Sequence, residues 1–151
     1  MGRRHLFRTL LADRSGASAS EFALIVPVLV ILITALIDFG GLIYTRLQVA
    51  SATHAGASFA AAQGFNQAGI STAMAGGASI AITAATPVES CGCPDAAMGV
   101  AAATCGSTCT SGAVAGKYVT VSASASYPFI YTWPGLSNPT TLSSTARVRI
   151  P

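Results

Sequence analysis

Two groups of residues in this chain have types and spacings that invite chemistry. The first is four cysteines, Cys91, Cys93, Cys105 and Cys109, arranged as C-x-C followed by C-x3-C. Four thiolates could hold a tetrahedral metal, but the usual spacing is C-x2-C, and neither histidine, His5 or His54, lies nearby. Structural disulfides are the expected use, with no metal and no cofactor. A Cys91–Cys93 bridge would close a very strained loop, so the two cross-pairings are favoured and the choice between them stays open. The second group is Gly16-Ala17-Ser18-Ala19-Ser20-Glu21-Phe22: a glycine, small residues, and a carboxylate directly ahead of a greasy run. Glycine offers no side chain and extends easily, so a protease could close on its backbone. Cleavage after Gly16 would free the amine of Ala17 and make Glu21 the fifth residue of the product.

A carboxylate at that place is costly. Burying it at the centre of a membrane helix costs ~2.5–3.5 kcal/mol on insertion scales, and less near an end. A helix N-terminal dipole would favour it, as would a free amino terminus, its own or a neighbour's. The aromatic run Tyr127, Phe129, Tyr131 and Trp133 suits either a core under a short sheet or contact with a partner. Arg147 and Arg149 fall on the polar side of an alternating stretch and read as a solvated face. His54 reads as a surface or packing residue. Asp38 lies in or near lipid, where the water interface, a pairing with Arg46 and a pairing across subunits are open to it. No phosphate loop, Ser-His-Asp set or H-E-x-x-H motif is present, and the expectation is a protein that is not an enzyme.

The elements that must position these residues follow from composition and periodicity. Of 151 residues, 52% are hydrophobic and 9% charged, with mean hydropathy +0.60. Soluble domains average about 25% charged, so this chain is not solvated all over. Its net charge of +3 is unevenly placed. Arg3, Arg4, Arg8 and Arg14 outweigh Asp13 ahead of Ala17, whereas Arg46, Lys117, Arg147 and Arg149 balance Glu21, Asp38, Glu89 and Asp95 after it. A nucleic-acid binder would keep its excess on the folded part. Here the excess flanks an apolar run, as on the cytoplasmic side of a membrane protein.

Between Phe22 and Ile37 there is no charge. Counting on through Phe39, Leu42, Ile43 and Tyr44 gives a span at about 21–44, against ~20 residues for a bilayer crossing. Tyr44 suits the outer aromatic belt, and Arg46 follows it into water. A cleaved secretory signal would have a shorter apolar region and a small-x-small site after it. Instead Leu36, Gly40, Ile43, Leu47, Ala50, His54, Ala57 and Ala61 recur at steps of three and four, so one helix over 17–63 is expected, bent or opened locally by Pro27. Its Ala, Ser, Gly and Thr at 50–62 form a small face that lets other backbones approach closely. A second helix is expected at about 67–79, weakened by Gly76-Gly77. Residues 86–116 read as a turn-rich cysteine loop. Strict alternation at 119–127 and again at 141–150 predicts two antiparallel strands, and a third near 80–88 is weakly signalled. Pro134-Gly135 and Asn138-Pro139 mark turns between them. The fold class is α+β: a long N-terminal transmembrane helix, a short second helix and a small antiparallel sheet cross-linked by disulfides. The domains are a basic leader at 1–16, the helix at 17–63, and an extracytoplasmic unit at 64–151.

The junction resembles the processing site of type IV-like pilins, in particular the Flp/Tad branch. There the motif is a glycine, four residues, a glutamate and an aromatic, here Gly16, Glu21 and Phe22, where many members carry tyrosine. The chain is also similar to the TadE-like family of pseudopilins in its arginine-rich leader, in Glu21-Phe22-Ala23-Leu24 with Pro27 close behind, in Tyr127-Pro128-Phe129, and in the terminal Arg147-Val148-Arg149. The likeness covers both ends and thins out between 64 and 116. It implies a minor pilin of a Tad pilus, cut after Gly16 and assembled through Glu21 and Phe22, acting in surface adherence and biofilm formation. The implied partners are a prepilin peptidase, the major pilin and other minor pilins, the inner-membrane assembly platform and the lipid bilayer, with no nucleic acid. The implied location is a single pass in the cytoplasmic membrane, N-terminus inside and C-terminal unit outside. A signal-anchored periplasmic module that is never cut is the rival reading.

Overall fold

The computed structural model describes residues 15–94 and 99–151, so most of the basic leader and Asp95 lie outside the described residues. The chain divides into two compact units, Met1–Phe39 and Gly40–Pro151. Helix α1, Ser15–Gln63, belongs to both and continues through Pro27. It already includes Ser15 and Gly16, ahead of the expected position 17. Ser15 to Ser20 are all small, and a helix already propagating from the apolar run extends through them at little cost. Gly64, at φ +76°, ends it by adopting the left-handed conformation, and its N–H donates to the Ala60 carbonyl at 2.9 Å.

Within the C-terminal unit α1 is followed by α2, Gln67–Gly76, whose N-cap Asn66 accepts from the Gly69 N–H at 3.0 Å. Helix α2 stops at Gly76 rather than running to 79, because the two glycines lower helix propensity just where Gly77 caps the turn. The backbone that approaches the small face of α1 is the chain's own. Ala52, Gly56 and Ala60 are buried, and Ile70 and Met74 of α2, one turn apart, are fully buried. A Cβ at Gly56 would fall inside van der Waals contact of the Met74 side chain. Phe59 closes on Gly69, and the Gln48 side-chain oxygen accepts from the Ser79 N–H at 2.9 Å. Gly56→Leu is therefore expected to lower stability by about 1–3 kcal/mol through overpacking. Urea unfolding of the detergent-solubilised chain measures it, and an unchanged midpoint would refute this packing.

Among the described residues five strands form one antiparallel sheet: β1 Thr83–Ala84, β2 Val88–Pro94, β3 Val100–Ala102, β4 Gly116–Tyr127 and β5 Thr140–Ile150. The two alternating stretches pair over their whole length, from Lys117↔Ile150 to Tyr127↔Thr140. On the other edge of β4, β2 pairs with residues 116–120 and β1 with 123–124. Val119, Val121, Ala123 and Ala125 turn one face of β4 to Val49 and Ala60 of α1, to α2 and to Ile150 of β5, forming the core. Across that interface Thr53 and Ser144 share a hydroxyl hydrogen bond at 2.9 Å. The opposite face carries Ser122 bonded to Thr145 at 3.0 Å, and Arg147 bonded to Thr120 and to the Val100 carbonyl.

The stretch read as turns from 86 onward is partly strand. Val88–Pro94 lacks alternation of its own, and its pairing with β4 holds it extended. Between β4 and β5 the segment 128–139 leaves the ladder and returns. Asn138 clamps it by accepting from the Phe129 N–H at 3.0 Å and donating to the Phe129 carbonyl at 3.1 Å. Its tip turns at Pro134-Gly135, where Gly135 has φ +83° and the Leu136 N–H reaches the Trp133 carbonyl at 3.2 Å.

Candidate functional site

The N-terminal unit presents the residues of the junction along the first turns of α1. Gly16 and Ala17 lie inside the helix, not in an extended segment ahead of it. Glu21 and Phe22 follow within two turns and are exposed, as the apolar side chains after them largely are: Phe22 is 67% and Leu24 78% accessible. Five residues lie between Ser15 and Glu21, and the first described turn of the helix holds no acid.

Ala19–Gln63 is the one helix, among the described residues, long and apolar enough to cross a membrane, with mean hydropathy 2.7 in its richest window. Exposed Leu24, Ile25, Val28, Leu29, Val30, Ile31, Leu32, Ile33, Leu36 and Ile37 would each be penalised in water, and together they call for a hydrocarbon surround. The one hydroxyl inside the charge-free run is satisfied without water, since Thr34 donates to the Val30 carbonyl at 2.8 Å. The segment thus serves as a single N-terminal membrane anchor. Asp38, at its far end, is fully buried.

In the C-terminal unit the cysteines are joined as Cys91–Cys105 and Cys93–Cys109, one of the two open cross-pairings. Strand geometry explains why the C-x-C element works: residues two apart on β2 face the same way, so both sulfurs meet one returning loop. That loop is ordered locally as well. Cys109 donates to the Ala113 carbonyl at 2.8 Å, Ala115 to Ser107 at 2.9 Å, and Ala103 to Cys91 at 3.1 Å. Lys117 and Glu89 form a surface ion pair at 3.3 Å beside it. No group of three or more His, Cys, Asp or Glu suited to a metal occurs among the described residues. His54, Arg147 and Arg149 are all exposed. The aromatic run divides: Phe129 is buried and meets Tyr127 edge-on at 5.4 Å, whereas Tyr131, paired with Trp133 at 5.1 Å, is half exposed.

The junction residues and the cysteines therefore belong to different units. Sequence reading missed the Asn138 clamp and the Thr53–Ser144 bond. A residue before proline signals a turn, but nothing local signals whose backbone its amide will hold.

Residues 16–58 match the family model described as TadE-like protein. The match begins at the glycine of the junction and ends within α1, leaving α2 and the sheet outside it. No curated protein and no solved structure matches the chain.

Proposed function

Because residues 16–58 form a TadE-like segment, a kind found in structural, Tad-pilus-related proteins, we propose that the chain is the precursor of a minor pilin or pseudopilin. A prepilin peptidase cuts it after Gly16, and it acts in Tad pilus assembly and, through the pilus, in adherence and biofilm formation. The observation that supports this most is the exposed, uncharged run of α1 immediately behind Gly16 and Glu21. A helix that shows apolar side chains all round is made to be surrounded first by lipid and then by copies of similar helices.

Processing has a physical route. The scissile bond lies in a turn of α1 that glycine makes easier to open. Opening that turn exposes the bond without disturbing the membrane span. The cut then shortens the helix and brings its positive end to Ala17. Glu21 stands four residues on, on the same face, within reach of its own amine or of the amine of a neighbouring subunit. The reading places the N-terminus in the cytoplasm and the disulfide-bonded unit outside it, where thiols oxidise. The major pilin, other minor pilins and the inner-membrane assembly platform are the partners it requires.

Edman sequencing or terminal-peptide mass spectrometry of the protein purified from cells that carry the pilus machinery is expected to find Ala17 first. A product that still begins at Met1 would leave a plain signal anchor in its place.

A further inference from the structure

Residues 128–139 contain no Asp, Glu, Lys or Arg, yet they expose Ile130 at 72%, Tyr131 at 51% and Leu136 at 43%. Exposed apolar side chains gathered on a clamped loop mark a contact surface. Their location says what they contact. The loop springs from the last pair of the β4–β5 ladder, Tyr127↔Thr140, and Tyr127 lays its phenol against Gly41, so close that no Cβ would fit there. Gly41 follows Ile37, the end of the charge-free run, by one helical turn, and precedes Tyr44 and Arg46. The charges of the sheet gather at its other end, where Lys117, Glu89, Arg147 and Arg149 stand. One end of the sheet is thus uncharged and aromatic, level with the helix residues that leave the lipid, and the other is ionic.

We propose that the 128–139 loop is an interfacial lipid contact: Ile130, Tyr131 and Leu136 insert among headgroups and upper acyl chains of the outer leaflet, with Trp133 beside them. Aromatic rings with one wet and one apolar side favour that zone. The Asn138 clamp and the Gly135 turn hold the loop in shape, so little order is lost on insertion. The contact would fix the depth and tilt of the C-terminal unit on the bilayer before the helix is withdrawn, and it would be given up on entry into a fibre. This inference rests on the membrane-anchor reading of α1.

Trp133 is the chain's only tryptophan and so reports on the loop directly. The full chain is reconstituted into phosphatidylethanolamine–phosphatidylglycerol vesicles, with and without lipids brominated near the top of the acyl chains. Expected are blue-shifted emission, strong quenching by the brominated lipid, and shielding from aqueous iodide. Ile130→Ser with Tyr131→Ser, and separately Leu136→Ser, should each lower the lipid quenching about twofold or more, with both disulfides still formed. Quenching by iodide alone would overturn the proposal. So would iodide shielding that scales with protein-to-lipid ratio and ignores brominated lipid, since a second copy would then cover the loop. An alkaline carbonate wash separates the two levels of failure. Protein that washes off the vesicles refutes the anchor and the loop together, and protein that stays with a lipid-silent Trp133 refutes the loop alone.

Discussion

Replacing Cys91 and Cys105 together by serine lowers the unfolding free energy of the chain by about 3 kcal/mol, the chain-entropy value for a loop of this size. The bridge spans 14 residues and its interleaved neighbour, Cys93–Cys109, spans 16. The two loops overlap, so opening both costs more than one and less than twice one. The expectation is large because the region has little else. Between 103 and 115 the buried side chains are Cys109 and Ala115, and the rest is held by a few backbone hydrogen bonds. A small unit that buries few large side chains depends on cross-links, and net stabilities of about 5–15 kcal/mol leave little margin. Urea unfolding with and without reductant gives the number, and hydrogen exchange locates it. The amides of Cys109 and Ala115 should lose protection first, while β5 keeps its own. A loss below about 1 kcal/mol would mean that the sheet holds the loop unaided.

Glu21→Ala, by contrast, should leave folding and cleavage untouched and abolish most assembly. The side chain is exposed, outside the C-terminal unit, and five positions from the proposed cut. On the proposed function its use comes after processing, when a free amine at Ala17 would enter a helix bundle poor in water. Without the carboxylate that amine has no partner, and an unpaired charge in a low-dielectric contact is penalised more than the pair is rewarded. Shed or surface pili from the variant should fall about tenfold or more, a change worth one decade in association. Glu21→Gln tests charge against shape: it keeps the volume and should fail as well. Normal piliation with either variant would remove Glu21 from the assembly mechanism, whereas accumulation of uncut precursor would make it a residue of the peptidase's recognition.

Much of this architecture is visible in residue order, for reasons that differ by element. The first half of α1 is legible from its unbroken apolar run, and its second half and the β4–β5 ladder because their burial is periodic: Val119, Val121, Ala123 and Ala125 alternate with hydroxyls, and one-sided burial permits no other register. Strand β2 is not legible, since Glu89-Ser90-Cys91-Gly92-Cys93-Pro94 has the composition of a turn and owes its extension to β4 and two cross-links from far along the chain. The choice of Cys105 for Cys91 is settled by where the loop returns, a long-range fact. Around the junction, the types of Gly16, Ala17, Glu21 and Phe22 are plain in the sequence. What it hides is that α1 already includes Gly16. The aromatic run is divided by the Asn138 clamp, which draws Phe129 in and leaves Ile130 and Tyr131 out.

Among the described strands β4 alone touches three others, with β5 along one side and β2 and β1 sharing the second. Of the described strands β3 alone hangs on another partner, β2. Heat or pulling force applied to any neighbour is passed to the same twelve residues, Gly116–Tyr127, and when they yield every partner loses its footing at once. A fold built this way stakes its integrity on one strand, and damage there reaches three others without an intermediary.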